Sequence, residues 1–261
     1  MIAWHQDRFI EDRVGLHLAG GAFRCGLGVF ETLLAKGGAP LRLECHLARM
    51  AASLDALGIA SAPLDAGAVH AHVVAVLRRN ALETARVNIF RFQDVAGAAA
   101  ETLITAAPYV AVAQATRRLT VYPHAQASYL CAHKTMANLH PRLAWEYAQR
   151  AGFDDAVLLG DSGCSGQSRR VLEAATAALL FFDGHRFVTP ATPYKLPSLA
   201  LEAAAAVLPV EEREVCLVDL RSFRHAYALN SLIGIQPVVQ IDDISFAADC
   251  TACAAVLERE A

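Results

Sequence analysis

Lysine is scarce in this sequence, and patterns typical of several protein classes are missing from it. Of the 23 basic residues only Lys36, Lys134 and Lys195 are lysines, and the others are arginines spread along the chain. The longest basic runs are arginine pairs, so no basic patch of the kind that binds nucleic acid or anionic membranes is present. No apolar run is long enough to span a bilayer. We therefore expect neither a nucleic acid nor a membrane as partner.

The cysteines lack the spacing of a disulfide framework. There are seven, an odd number at irregular intervals, which fits a reduced compartment. The closest pair, Cys250 and Cys253, lies in a predicted terminal helix with no second pair or histidine nearby, so we predict no metal site. The N-terminal segment MIAWHQDRFIEDR carries early charges and no apolar core of signal-peptide length. These features predict a cytoplasmic protein.

Periodicity predicts both helices and strands in the first part of the chain. VFETLLAKGGAPLRL is typical of a hairpin that turns at its two glycines, and RVGLHLAGG predicts a strand that runs into a glycine-rich turn. ECHLARMAASLDALGI and LDAGAVHAHVVAVLRRN predict helices, whereas ARVNIFRFQDV and ETLITAAPYV predict strands.

The order of these elements predicts an α+β protein of two domains. With 55% hydrophobic and 19% charged residues among 261, the chain has enough apolar surface for two cores. Strands and helices alternate without a regular βαβ repeat. We predict a smaller domain over residues 1–110, a linker at 111–116 and a larger domain over 117–261.

Lys134, in HKTMAN, is the first candidate for chemistry. A primary amine condenses with an aldehyde to form a Schiff base, whereas a guanidinium does not do so usefully. This difference would explain a lysine among small polar residues in a chain that otherwise uses arginine. The alternative is an ordinary surface lysine.

Four other segments carry polar groups that could act beside such a lysine. Glu173 interrupts an apolar strand, where a carboxylate needs a partner unless the strand is an edge facing water. Arg49 lies off the apolar stripe of its helix and could bind a phosphate or only solvent. Ser198 and Leu199 begin a helix after a proline, where backbone N–H groups can bind a phosphate. Asn230 and Ser231 form a polar turn between apolar strands.

These segments together resemble the class IV aminotransferase family, which comprises pyridoxal-phosphate enzymes of fold type IV. The family's glycine-rich turn followed by FET is found at Gly26 to Thr32, and its H-x-x-R helix start at His46 to Arg49. The lysine motif matches Lys134 to Asn138, and the strand DDAVLLGD is followed by Glu173 as in the family. The resemblance covers nearly the whole chain. It implies a D-amino-acid aminotransferase-like fold with a small α/β domain and a larger pseudo-barrel domain.

The resemblance also implies the cofactor and the residue roles. Lys134 would bind pyridoxal 5'-phosphate covalently and then act as a base, while Glu173 would keep the ring nitrogen protonated. Arg49 and the Ser198–Leu199 amides would bind the phosphate, and Asn230 and Ser231 would complete the cofactor site. Thr32 and Thr135 are candidates for proton handling or substrate contact. Members of the family are usually homodimers, so we expect a homodimer that acts on a small-molecule amine.

Within the family, NSLIGIQPV is more similar to the NSLxGxxPV segment of aminodeoxychorismate lyase than to the corresponding segment of the transaminases. This favours 4-amino-4-deoxychorismate lyase, an enzyme of folate biosynthesis. The alternative is an aminotransferase for a branched-chain or D-amino acid. The family's G-I-T-R phosphate turn is replaced by SLAL at Ser198–Leu201. A second alternative is therefore a relative that has lost cofactor binding.

Overall fold

The protein is described by a computed structural model that covers residues 1–110, 112, 115–160 and 168–260. It divides into two compact units. The first comprises Met1–Ala111 and His133–Ala137, and the second comprises Val112–Ala132 and Asn138–Ala261. The segment that carries Lys134 thus belongs to the first unit. The predicted linker at 111–116 includes residues 111, 113 and 114, which lie outside the described residues.

The first unit is a six-stranded antiparallel sheet with three helices. The strands are β1 (Ile2–His5), β2 (Arg8–Glu11), β3 (Gly28–Lys36), β4 (Ala39–Pro40), β5 (Ala85–Phe92) and β6 (Glu101–Pro108). The helices are α1 (Gly21–Cys25), α2 (Leu43–Ala56) and α3 (Ala66–Arg79). The order across the sheet is β2-β1-β6-β5-β3-β4. The predicted hairpin is β3–β4, and the two predicted helices are α2 and α3.

Alternation along the three central strands gives this sheet two different faces. One face is buried against α2 and α3, because alternate residues of β3, β5 and β6 are aliphatic and fit between the helices. The other face is half-buried and carries Phe30, Thr32, Asn88 and Phe90. This second face lies next to the Lys134 segment.

The strand predicted for RVGLHLAGG is wrong. Residues 13–20 are loop, and α1 begins at Gly21. His17 donates its backbone N–H to Asp94 at 2.8 Å instead of to a neighbouring strand. Leu18 is 80% exposed. The alternating leucines therefore resembled a strand, but no edge of the sheet pairs with them.

The second unit is built on a nine-stranded mixed sheet. Its strands are β7 (Arg117–Val121), β8 (Asp155–Leu159), β9 (Val171–Ala174), β10 (Ala178–Phe182), β11 (Phe187–Pro190), β12 (Val210–Arg213), β13 (His225–Asn230), β14 (Gly234–Ile241) and β15 (Ile244–Ser245). The order is β12-β11-β10-β13-β14-β7-β8-β9, with β15 on β14. The sheet curls, because β9 at its end also contacts β10 and β11.

Three helices and two 3-10 turns complete this unit. They are α4 (Leu139–Arg150), α5 (Leu199–Ala205) and α6 (Thr251–Glu260), with the 3-10 turns at Tyr129–Ala132 and Leu217–Ser222. One core lies inside the curl, and a second lies between the sheet and α5 and α6. Across the described ranges, no helix is both long and apolar enough to cross a membrane.

Candidate active site

Lys134 is held on the edge of β3 by backbone hydrogen bonds. Phe30 donates its N–H to the Lys134 carbonyl at 2.8 Å, and Met136 donates to the Gly28 carbonyl at 2.9 Å. Between them Val29 and Thr135 form an antiparallel bridge. The edge is available because β4 pairs only with the far end of β3, at Ala35 and Lys36. The lysine backbone is therefore part of the sheet.

The Lys134 side chain lies against an aromatic ring. Its Nζ atom is 4.7 Å from the centroid of the Phe30 ring, which is a cation–π distance. The Phe30 ring also stacks on Phe90 of β5, with 5.7 Å between centroids. The amine thus has a defined position over the half-buried face of the sheet.

The glycine-rich turn allows the close approach of this segment. A Cβ on Gly28 would lie 2.6 Å from the Arg91 carbonyl oxygen and 2.8 Å from Met136 Sδ. Gly26 has a φ of +65°, and a Cβ there would lie 2.8 Å from the Ala137 nitrogen. The turn that suggested the family therefore has a steric role beside Lys134.

Arg49 is bound by a buried carboxylate that the sequence analysis did not identify. The guanidinium donates from Nε and Nη2 to the two carboxylate oxygens of Glu31, at 2.8 and 2.6 Å. His46 Nδ1 lies 2.7 Å from the same carboxylate. Glu31 and His46 are each 1% exposed. The H-x-x-R pattern thus places two side chains of α2 on one carboxylate of β3.

The Glu31 carboxylate is ionised in this setting. Burial raises its pKa, but the hydrogen bonds from His46 and Arg49 outweigh burial, so the pKa lies below its ordinary value of 4.5. A signal was present in the sequence, since Glu31 interrupts the apolar alternation of Val29 and Leu33 on the buried face of β3. The bond to Glu31 fixes the orientation of the Arg49 fork.

Thr32 and Thr135 lie in the same unit as Lys134. Thr32 Oγ1 donates to Asn88 Oδ1 on β5 at 2.9 Å. Thr135 pairs with β3 through its backbone. Asn88 was not a predicted site residue, and its strand position gave only a weak signal, a polar residue in an apolar run.

In the second unit, Glu173 on β9 links a strand to the start of a helix. Its carboxylate accepts from the Leu196 N–H at 3.3 and 3.4 Å. The strand lies at the end of the sheet order, yet Glu173 is half-buried. Burial raises the pKa of the Cys131 thiol, and the Glu173 charge raises it further. The carboxylate is therefore not simply on a water-facing edge.

Ser198 and Leu199 are at the N-terminus of α5. Ser198 is the N-cap, and its hydroxyl accepts from the Leu201 N–H at 3.2 Å. Leu199 is the first helical residue and is buried. The serine whose amide is predicted to bind phosphate thus caps the helix with its hydroxyl.

Asn230 ends β13, and Ser231 begins the turn that leads to β14. Asn230 Oδ1 accepts from the N–H groups of Leu232 and Ile233, each at 2.9 Å, and its Nδ2 donates to the Thr176 carbonyl at 3.0 Å. Thr176 lies between β9 and β10, so this turn adjoins the connection that follows the Glu173 strand. The Asn230 side chain therefore fixes the turn.

The predicted residues fall into two sets. Thr32, Arg49, Lys134 and Thr135 belong to the first unit, and Glu173, Ser198, Leu199, Asn230 and Ser231 belong to the second. Within each set, hydrogen bonds or strand pairing connect the segments described above. Their catalytic and cofactor-binding roles remain predictions.

Solved structures of known proteins share this fold. The branched-chain aminotransferase of the archaeon Thermoproteus uzoniensis superposes with a TM-score of 0.87 at 19% identity, over 99% of this chain and 93% of that chain. A provisionally named 4-amino-4-deoxychorismate lyase from Legionella pneumophila gives 0.83 at 19% identity, over 96% and 97%. The T.th. branched-chain amino acid aminotransferase, solved with pyridoxamine 5'-phosphate, gives 0.84 at 17% identity, over 98% and 92%. The predicted fold is confirmed.

No curated protein sequence matches the chain significantly. A family model described as amino-transferase class IV matches residues 28–241, which include both sets of site residues. The predictions of the family and of an enzyme are confirmed by this match. The chain belongs to the class IV aminotransferase family.

Proposed function

We propose that this protein is a pyridoxal-phosphate-dependent enzyme that cleaves 4-amino-4-deoxychorismate to 4-aminobenzoate and pyruvate. The observation that carries the first part is the fixed position of the Lys134 amine on β3, within a chain of this family. The alternative is an aminotransferase for a branched-chain or D-amino acid. Several solved structures of similar fold are branched-chain aminotransferases.

The side chains present fit the cofactor in their chemistry. Lys134 offers a primary amine for an aldehyde, and Arg49 offers a guanidinium for a phosphate. The start of α5 offers backbone N–H groups, and Glu173 offers a carboxylate for a ring nitrogen. The Glu173–Leu196 hydrogen bond supports a common role for the last two, because it ties the carboxylate to the approach to α5.

Each residue then has a defined task. When bound, the cofactor supplies an electron-accepting pyridinium ring. Glu173 would hold the proton on the ring nitrogen, and Arg49, oriented by Glu31, would bind phosphate oxygen. Lys134 would hold the cofactor through its amine, and the same amine would be the base that takes the proton from the substrate carbon that bears nitrogen.

The lyase is favoured by the segment NSLIGIQPV, which joins β13 to β14 beside the connection between β9 and β10. We further propose a cytoplasmic homodimer with a small-molecule amine as substrate and a place in folate biosynthesis. The homodimer, the substrate and the pathway derive from sequence resemblance, whereas the cytoplasmic location rests on the odd, irregularly spaced cysteines.

A product assay separates the possibilities. The protein is purified with added pyridoxal 5'-phosphate, and 4-amino-4-deoxychorismate is supplied while pyruvate is measured. Equal amounts of pyruvate and 4-aminobenzoate are expected. If no pyruvate forms while an amino acid converts the cofactor to its amine form, the enzyme is an aminotransferase. A protein without cofactor absorbance has lost cofactor binding.

Replacing Lys134 tests the role of the amine directly. Lys134→Arg keeps the charge and should keep the fold, but we expect turnover to fall by at least about 10³-fold because a guanidinium cannot bind the aldehyde. Lys36→Arg, at the exposed end of β3, is the control and should retain full activity. Activity retained in Lys134→Arg would contradict covalent binding.

A further inference from the structure

The loop between β11 and α5 carries a lysine that the proposed function does not use. Residues 191–198 connect the two elements, and Lys195 lies within them. It is one of only three lysines in the chain. Its side chain is 12% exposed, whereas lysine is rarely buried unless it is paired. The amine therefore needs partners close to this loop.

The Lys195 amine closes the loop onto the strands beside it. Nζ donates to the carbonyl of Pro190, the last residue of β11. It also lies 3.3 Å from Glu212 Oε1 on β12, which is the parallel neighbour of β11. The Ala191 N–H donates to the Arg213 carbonyl of β12 at 2.8 Å. Both the start and the end of the loop are thus attached to the β11–β12 pair.

The residue after Lys195 faces Glu173. The Leu196 nitrogen is 3.3 and 3.4 Å from the two carboxylate oxygens of Glu173, so its N–H points between them. This N–H belongs to the planar peptide unit that joins Lys195 to Leu196. The direction of the N–H therefore depends on where the Lys195 residue is held.

We propose that Lys195 is a positioning residue that holds the Leu196 N–H against Glu173 and thereby orients this carboxylate toward the ring nitrogen of the cofactor. This inference rests on the proposed function, and it deepens it by naming a residue that acts through Glu173. A carboxylate whose two oxygens face one N–H has a restricted plane. Its hydrogen bond to a ring nitrogen depends on that plane.

The contact with the Pro190 carbonyl carries this role, and the contact with Glu212 adds little. The Glu212 side chain is 65% exposed, and ion pairs in solvent contribute weakly. The helix that follows the loop is held separately, because Ala200, Leu201 and Ala204 of α5 are buried in the core beneath it. Loss of the Lys195 amine should therefore release Leu196 without moving α5.

Binding of pyridoxamine 5'-phosphate measures the effect without turnover. This compound has the ring nitrogen and the phosphate but no aldehyde, so it does not react with Lys134. Lys195→Met keeps the apolar stem and removes the donor. Calorimetry on the cofactor-free protein should give a Kd about tenfold higher for this variant, because the hydrogen bond that depends on the charged Glu173 is weakened. Lys195→Gln, which is shorter, should change the Kd in the same direction.

Two matched controls remove charges on the same strands. Arg186 pairs with Glu211 between the other end of β11 and β12, at 2.7 Å. Arg186→Gln should bind the compound as tightly as the wild type, and Glu212→Gln should bind within about threefold of it. A tenfold loss in Arg186→Gln would show that any charge change at these strands weakens binding, and the proposal would be wrong.

A double-mutant cycle shows whether Lys195 acts through Glu173. Glu173→Gln alone should raise the Kd, because a neutral amide accepts a hydrogen bond less strongly than a carboxylate. Adding Lys195→Met to Glu173→Gln should raise it by less than about threefold more, since both changes affect one chain of contacts. If the two effects multiply, Lys195 supports the fold in general and does not position Glu173.

Hydrogen exchange in the cofactor-free protein completes the test. The Leu196 amide should exchange at least about tenfold faster in Lys195→Met. The Glu202 amide of α5, which donates to the Ser198 carbonyl at 3.0 Å, should remain as protected as in the wild type. A wild-type protein that does not bind pyridoxamine 5'-phosphate would overturn the proposed function. Wild-type binding with the same Kd in Lys195→Met and Lys195→Gln would overturn this inference alone.

Discussion

Glu31 is the central acceptor of a buried ion-pair network in the first unit. Its carboxylate accepts from both Arg49 and His46. We predict that Glu31→Gln lowers the free energy of unfolding by about 3–5 kcal/mol, because one partner of a buried ion pair is removed and the guanidinium is left uncompensated. Urea denaturation measures this loss.

The control for this substitution is Glu83→Gln, at an exposed position before β5, which should change stability by less than about 0.5 kcal/mol. If the two variants are equally stable, the buried network does not stabilise the unit.

At the scale of single residues, the sequence predicted one side of this network only. The spacing of His46 and Arg49 puts both on one face of a helix, which local periodicity is able to show. Their partner Glu31 is 15 and 18 residues earlier, on a strand. Which helix packs on which strand is a tertiary property, so pairing with Glu31 could not be derived from spacing.

At the scale of elements, the glycine turn and the Lys134 segment form one structure. We predict that Gly28→Ala displaces this segment, because the added Cβ would lie 2.6 Å from the Arg91 carbonyl oxygen. The amides of Phe30 and Met136 donate the two bonds that hold it, and they should exchange hydrogen at least about tenfold faster in the variant. Hydrogen exchange measured by mass spectrometry tests this.

Gly15→Ala is the matched control, since a Cβ at Gly15 meets nothing within 4 Å. Equal protection of Phe30 and Met136 in Gly28→Ala and the wild type would show that the segment tolerates the extra carbon.

The C-terminal helix α6 gives a second prediction at this scale. Cys253 is 6% exposed, and burial raises its pKa to about 12, whereas Cys250, just before the helix, is exposed. At pH near 8 Cys250 should react with iodoacetamide at least about a hundredfold faster than Cys253, because only the thiolate reacts. Peptide mapping over time measures both rates.

Tyr227→Phe should speed labelling of Cys253, because it removes the 2.6 Å bond from the Tyr227 hydroxyl to Asp249 at the start of α6. Comparable rates for the two thiols in the wild type would mean that α6 is not packed as described.

Alternation and helical periodicity predicted the main strands and both long helices of the first unit, because these patterns reflect burial on one face. They failed at residues 13–20, where apolar residues alternate in a loop held by Asp94. A strand needs the edge of another strand for its hydrogen bonds as well as alternating apolar residues. The local sequence does not show whether such an edge is available.

At the scale of the whole molecule, the sequence suggested two domains but not the return of His133–Ala137 to the first unit. That return uses the edge of β3 near Phe30, which is open because β4 pairs only with Ala35 and Lys36. The lysine itself was identified by its chemistry and scarcity. Its structural partner, Phe30, required the assembled sheet.

The two units carry buried carboxyl groups whose pKa values move in opposite directions. In the first unit the pKa of Glu31 lies below 4.5. Its contribution to the free energy of unfolding is therefore present above pH 4.5 and is lost as pH falls through the lowered pKa. In the second unit burial raises the pKa of Asp155 above 3.8, despite hydrogen bonds from Thr176 and Ala156. The contribution of Asp155 to the free energy of unfolding is present below pH 3.8 and is lost as pH rises through the raised pKa.

The position of the two tryptophans allows the units to be followed separately. Trp4 lies in the first unit and Trp145 in the second, so Trp145→Phe and Trp4→Phe each leave one reporter. Urea titrations are made at several pH values from acid to neutral. The stability that Trp4 reports should fall at low pH, and Glu31→Gln should reduce this fall. The stability that Trp145 reports should decline as pH rises through the raised pKa of Asp155. This decline should be absent in Asp155→Asn. If both reporters shift together in every variant, the units unfold as one and the separate linkage is wrong.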